Sequence, residues 1–194
     1  LYTCLPETQC RCYHPGICCT YIPQISMLEA LQWLKSIQEL PVTEKTEILK
    51  KFMTYYLTNP IQHSGCPFLH NDLCGIYTCR AFACRAYGIW SRRIGDDKTR
   101  QNRQARKALL DMWQRYGLNL PAEMVEYEID YCDQVHCNSQ AVFSDDQLVE
   151  VLRKIYRLDR HLPEFQQNFE EQYHSDFSFL VTSLVLGHRK AVLG

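Results

Sequence analysis

The sequence predicts a mainly α fold, a helical bundle carrying irregular cysteine-rich loops. Three observations predict it. Apolar residues recur at helical spacing between capping and stop signals, no stretch sustains the period-2 alternation of a strand, and the cysteines fall in groups between the helical runs. With 194 residues the chain is long enough to bury a core without covalent staples, and it reads as a single α-rich domain over 1–194.

Each helix has a local reason. Ser26-Met27-Leu28-Glu29 is a capping box: the serine hydroxyl serves the amide three residues on while Glu29 reaches back. Leu28, Leu31, Leu34 and Ile37 follow at helical spacing, and Pro41 ends the run. A second helix fits Glu44 to Leu57, with Thr43 as cap, Ile48, Leu49, Phe52, Met53 and Tyr56 on one face, and Asn59-Pro60 as stop. A third fits Lys98 to Tyr116 and closes at Gly117, opening a C-terminal helical part over 98–194. Ser144-Asp145-Asp146-Gln147 is another capping box, followed by Leu148, Val151, Leu152 and Ile155. Pro163 restarts helix through Phe165, Phe169 and Tyr173 towards Leu186. Trp33, Trp90 and Trp113 sit on helical or near-helical stretches, as core or interface residues do.

A formal net charge of −1 argues against nucleic acid as a general partner. The longest apolar stretch, Phe179 to Gly187, is far short of the ~20 residues that cross a bilayer. No basic, apolar and small-residue series at the start suggests a signal peptide, so the expected compartment is the cytoplasm. Charge is unevenly placed. The basic face 92–107 carries Arg92, Arg93, Lys98, Arg100, Arg103, Arg106 and Lys107, whereas 116–152 is acidic without Lys or Arg. One reading is a docking face for an acidic protein partner; the other is a solvated face that pairs with the acidic segment of the same chain.

Eleven cysteines carry the chemistry. The number is odd and the chain is not small, which speaks against a purely disulfide framework and for thiolates gathered around metal in a reducing compartment. The first group, in segment 4–19, is Cys4, Cys10, Cys12, Cys18 and Cys19. Pro15 and Gly16 suit a tight loop whose amides turn inward towards an anionic centre. Vicinal Cys18 and Cys19 point to opposite faces in extended backbone, so that one ligates while the other packs, or each serves its own site; a strained vicinal disulfide is the remaining reading. The second group, in segment 66–87, is Cys66, Cys74, Cys79 and Cys84. Its spacing lacks paired zinc knuckles and the ferredoxin run, yet four sulfurs converging in space suffice for an iron–sulfur cluster. Arg80 and Arg85 beside these thiols would lower their pKa and offset a cluster's charge, or else form ordinary ion pairs. The third group, Cys132 and Cys137 with His136, either closes a second site or packs as small hydrophobes. His14, His63 and His70 flank the cysteine segments, with His14 the best placed to ligate.

Two of these segments resemble the zinc- or iron-chelating domain family of cysteine-cluster proteins, known by its CxxCxxCC signature. Cys12, Gly16, Cys18 and Cys19 stand in register with the first motif, where Pro15 occupies the second cysteine. Cys66-Pro67-Phe68-Leu69, Cys74-Gly75-Ile76-Tyr77, Arg80, Cys84-Arg85 and Tyr87 match the second motif, with Ala81 in place of its proline. The resemblance spans Cys10 to Tyr87 and implies metal binding, by zinc or an iron–sulfur cluster; the cysteine cluster is also similar to that of flagellin lysine methylases, which implies an enzymatic alternative. Cys79 or Cys10 is expected to supply the sulfur that Pro15 displaces.

The expected function is a cysteine-ligated metalloprotein holding one or two [4Fe-4S] clusters, in electron transfer or as an accessory to an enzyme. Zinc as a structural metal in an interaction protein, and a protein-modifying or thiol-nucleophile enzyme, are the alternatives. Irregular spacing and 12% aromatic residues, which shelter a cluster from water, favour iron–sulfur.

Overall fold

The computed structural model describes residues 2, 5, 8–10, 17–59, 61–62, 64–126, 128, 131–137 and 143–193. It is mainly α, as the sequence predicts. In chain order the elements are β1 (Thr8–Cys10), α1 (Met27–Gln38), α2 (Val42–Thr58), β2 (Leu69–His70), β3 (Leu73–Cys74), α3 (Phe82–Ala86), α4 (Arg92–Arg115), α5 (Ala122–Glu126), β4 (Val135–Cys137), α6 (Asp145–Asp159), α7 (Pro163–Tyr173), α8 (Phe177–Leu186) and α9 (His188–Leu193). Short 3-10 turns cover Ile17–Cys19 and Tyr77–Cys79.

Both capping boxes form, at Ser26–Glu29 and Ser144–Gln147. The first is part of a larger arrangement. The Ser26 amide donates to Glu29 Oε2 and the Glu29 amide to Ser26 Oγ, while the amides of Met27 and Leu28 donate to the Asp159 carboxylate at 3.1 and 3.0 Å. All four donors at the start of α1 are thereby satisfied, two of them by the last residue of α6. Glu29 also accepts from the Phe82 amide and the Tyr2 hydroxyl. One short helix end therefore joins α1, α3, α6 and the N-terminal segment.

The principal core centres on four rings in edge-to-face contact. Trp33 of α1 lies 5.1 Å from Phe68 and 5.0 Å from Phe177 of α8; Phe52 of α2 lies 4.9 and 5.2 Å from the same two. Cys66, Ile76 and Cys84 pack against this core, so the cysteine-rich loops are built onto the bundle rather than hung from it. A second core gathers Phe82, Ala86, Leu148, Val151 and Ile155, flanked by Trp90.

Four expectations are corrected. The buried stripe of α1 is Ala30, Trp33 and Ile37, while Leu31 is exposed, because Trp33 fills the space between Phe68 and Phe177. In α2 the helix starts at Val42 behind Pro41 with no side-chain cap, so Thr43 lies inside it, and its buried residues are Phe52 and Tyr55. α4 begins six residues earlier than Lys98, where Ser91 Oγ accepts from the Ile94 amide. The stretch from Pro163 to Leu186 is two helices, since His174 and Ser175 adopt left-handed backbone (φ 52° and 56°) and Asp176 caps a new helix.

The basic face of α4 is mostly paired within the chain. Arg92 meets Asp96, Arg93 meets Asp145, Arg100 meets Asp97, and Arg103 meets Glu128 of the acidic segment at 2.7 Å. Arg106 donates to the Tyr21 hydroxyl, and Lys98 lies over the Trp90 ring. Among the described residues, no helix is long and apolar enough to cross a membrane.

Candidate metal centre

Three separated segments bring thiols to one neighbourhood. The 3-10 turn Ile17–Cys19 supplies Cys18 and Cys19, the loop and hairpin at 66–74 supply Cys66 and Cys74, and α3 supplies Cys84. The Cys66 amide donates to the Cys19 carbonyl at 2.6 Å, which fastens the first group directly to the second. Cys74 returns towards Cys66 through a two-residue hairpin. Leu69 pairs with Cys74 and His70 with Leu73, and Asn71-Asp72 turn with φ of 47° and 63°, the left-handed pair that such tight hairpins require.

The sulfurs are electrostatically coupled. Cys19 feels the charges of Cys66, Cys74 and Cys84; Cys66 feels those of Cys84, Cys74 and Cys18; Cys84 feels Cys74 and Cys18. Burial pushes the thiols of Cys66 and Cys84 up to about 12 each, and neighbouring thiols add to both shifts. Burial raises Cys74 as well. Opposing donors favour the thiolates: the Phe68 amide donates to the Cys66 sulfur and the Ile76 amide to the Cys74 sulfur, each two residues on. The Arg80 guanidinium favours thiolate at Cys18, Cys74 and Cys84. Within the vicinal pair the proton is unequally shared. The hydrogen bond between them raises Cys18 and lowers Cys19, so that it favours thiolate at Cys19 over Cys18.

The loop that carries Arg80 is held from two sides. Trp33 Nε1 donates to the Cys79 carbonyl at 2.9 Å. Arg85 Nε donates to the Arg80 carbonyl at 2.7 Å, and Arg85 Nη2 to the Thr78 carbonyl. Arg85 thus positions backbone, with its guanidinium over the Tyr2 ring, while Arg80 faces the thiols; its own head lies over Tyr77. Arg85 also lies within electrostatic reach of Cys84 and of Cys79, whose thiol pKa it lowers, so both arginines act on thiols, though not on the same set. The Trp33 contact has no local sequence signal.

Cys79 is turned elsewhere. Its sulfur lies 3.6 Å from Gln32 Nε2 and 3.7 Å from Thr78 Oγ1, and the polar side chains of Ser36, Thr78 and Gln32 around it lower its pKa. Cys132 is half-buried; Cys19, Cys66, Cys74, Cys79 and Cys84 are half-buried free thiols, and Cys18 is free and exposed. Of Cys10 and Cys137 the backbone is described: β1 pairs with β4 antiparallel, Cys10 opposite Val135 and Cys137 opposite Thr8, so the first and third groups lie on one ribbon. Cys4, Cys12, His14, Pro15, Gly16 and His63 lie outside the described residues, and His70 is exposed beside Asn71.

Among the described residues, no three Cys, His, Asp or Glu side chains already close on a single point in the manner of a metal site. What the structure provides is a set of sulfur donors, two of them with backbone amides on the sulfur, next to one guanidinium and against an apolar core. Soft thiolate donors suit zinc, copper(I) and iron–sulfur clusters, and mismatch magnesium or calcium. Comparison with known protein families, characterised proteins and solved structures yields no match.

Proposed function

We propose that this chain is a cysteine-ligated metalloprotein whose centre, an iron–sulfur cluster of the [4Fe-4S] type, is held by Cys19, Cys66, Cys74 and Cys84, with Cys18 beside them. The coupling of five thiols from three segments of the chain around Arg80 carries the reading. Bound there, a cluster would supply one-electron chemistry. The chain's own residues would do the rest. Cys66 and Cys74 keep amide hydrogen bonds on sulfur that favour the thiolate, Arg80 offsets accumulated negative charge, and the core behind Cys66 and Cys84 limits water. Because most of these thiols are held protonated, metal uptake must release protons. In this reading neither Cys79 nor Cys10 is needed to replace the sulfur lost at Pro15.

Zinc fits the same donors and differs in one observable. Protein purified without oxygen is expected to be brown, with iron and sulfide in equal amounts. A colourless protein with stoichiometric zinc would move the reading to a structural zinc site, and metal-free protein after reconstitution with either would sink both. Cys66→Ser and Cys84→Ser are expected to lose the metal, while Cys79→Ser and Cys10→Ser keep it. Loss of metal in Cys79→Ser would restore the expectation drawn from the sequence.

A further inference from the structure

Away from the thiols, the corner between α7 and α8 opens a cleft of about 460 Å³, bounded also by α2 and α9. That volume lies in the range of small-molecule sites, roughly 300–1,000 Å³. We propose that it binds an alkylammonium cation, of which a quaternary ammonium such as choline is the simplest probe.

The lining is made of rings. Phe179 forms the floor, with Tyr56 stacked on it at 5.1 Å and 11°, His174 nearly parallel at 6.5 Å, and His188 at 5.5 Å. The left-handed backbone at His174 and Ser175 turns the chain so that the His174 ring joins this group. Ring faces attract cations through their quadrupole. The charge on the walls has the matching sign: Glu171 and Asp176 contribute carboxylates, and among the described residues no lysine or arginine lines the cleft.

The carboxylates divide their hydrogen-bond capacity between the helices and the cleft. Asp176 Oδ1 already accepts from the Ser178 amide, the Ser178 hydroxyl and the Phe179 amide, at 2.7, 2.6 and 3.1 Å. Its charge remains while much of its accepting capacity is spent on the helix start. The three donors all reach Oδ1, and Gln167 Nε2 donates to Glu171 Oε1, so the two carboxylates offer a bound alkylammonium their charge together with their second oxygens. The neighbouring basic residues of α9, Arg189 and Lys190, stand outside the cleft.

The test uses the full chain with its metal content unchanged. Amide chemical shifts are followed on titration with choline and, in parallel, with its neutral tert-butyl analogue, in which carbon replaces the quaternary nitrogen. Choline is expected to give saturable shifts confined to the neighbourhood of Tyr56 and to residues 171–179 and 188–192, and the neutral analogue to bind at least about fivefold more weakly, as a cation–π site demands. Glu171→Gln and Tyr56→Leu are each expected to weaken choline about fivefold, the scale of one lost charge or ring contact. Glu171 is exposed, so its variant decides the matter should Tyr56→Leu fold poorly. Equal binding of the two probes, or no saturable shift with choline, overturns the proposal. A soluble ligand and a lipid headgroup share this chemistry. Capture by phosphatidylcholine vesicles that free choline competes away assigns the headgroup, and choline binding without capture assigns a soluble ligand. Capture that is indifferent to choline overturns the ammonium site.

Discussion

Replacing Asp159 should reveal how much of the fold hangs on the start of α1. Asp159 is 1% exposed and accepts from the amides of Met27 and Leu28. In Asp159→Ala both amides lose their acceptor in a site that water does not reach. Each such orphan costs about 1–3 kcal/mol, and loss of the carboxylate from a helix N-terminus adds about 0.3–1 kcal/mol, so about 3 kcal/mol is expected. Asp159→Asn keeps one acceptor and turns an N–H2 group towards the other amide, which halves the loss to about 1.5 kcal/mol. Urea unfolding followed by circular dichroism measures this. With a slope of about 2 kcal/mol/M the midpoint should fall about 1.5 M in Asp159→Ala and about half as much in Asp159→Asn. Exposed Asp146, in the first turn of α6, is the control, expected to lose a few tenths of a kcal/mol as alanine. A loss under about 0.5 kcal/mol in Asp159→Ala, less than half of one typical hydrogen bond, would refute the bridging role.

The same residue has a pH signature. Burial raises its pKa, against the pull of the two amides, and the charges of Glu29 and Glu170 raise it further. An acid whose folded-state pKa is raised contributes stability at low pH that is lost as pH rises through the folded-state value. The gap between wild type and Asp159→Asn should therefore narrow as pH rises above the ordinary carboxylate range; a gap that widens would show that hydrogen bonding outweighs burial. At Gly88, φ is +79° and an added Cβ would lie 2.3 Å from Val135 Cγ2, so Gly88→Ala should destabilise by about 2 kcal/mol or more. Val135→Ala in that background should recover the steric part and leave the backbone part, as read by thermal unfolding. Trp33→Phe keeps an aromatic ring and removes the donor to the Cys79 carbonyl; about 1–2 kcal/mol of stability should go, and metal content should fall if that loop positions Arg80.

What was legible in the sequence was what local chemistry decides. Ser26–Glu29 and Ser144–Gln147 announce their helices because a capping box is complete within four residues. Thr43 did not act as a cap, because Pro41 fixes its own φ and is already suited to begin the helix. Leu28, Leu31, Leu34 and Ile37 suggested one face of α1; Ile37 and Leu34 do meet the core, but Leu31 does not, because the inward face is the one on which Trp33 meets Phe68 and Phe177, and those partners lie far along the chain. The break before α8 carries no glycine, and the Asp176 cap with its three hydrogen bonds, which restarts the helix, was not read from the sequence. At the thiols, spacing singled out 66, 74, 79 and 84 alike. Cys79 diverges because Gln32 and Ser36, on a helix some forty residues earlier, claim its sulfur, and such claims are invisible before the helices pack.

The hydrogen bond from the Cys66 amide to the Cys19 carbonyl joins two points with the whole α1–α2 hairpin between them. In the unfolded chain that excursion is a wide loop, and its ends rarely meet. Packing α1 against α2 shortens that excursion, so a centre of the proposed kind would be expected to assemble after the hairpin has closed. Were a metal to bridge Cys19 and Cys66 as proposed, the loop could not open without breaking a metal–sulfur bond. Loading would act as a latch on α1 and α2, slowing unfolding far more than it speeds folding.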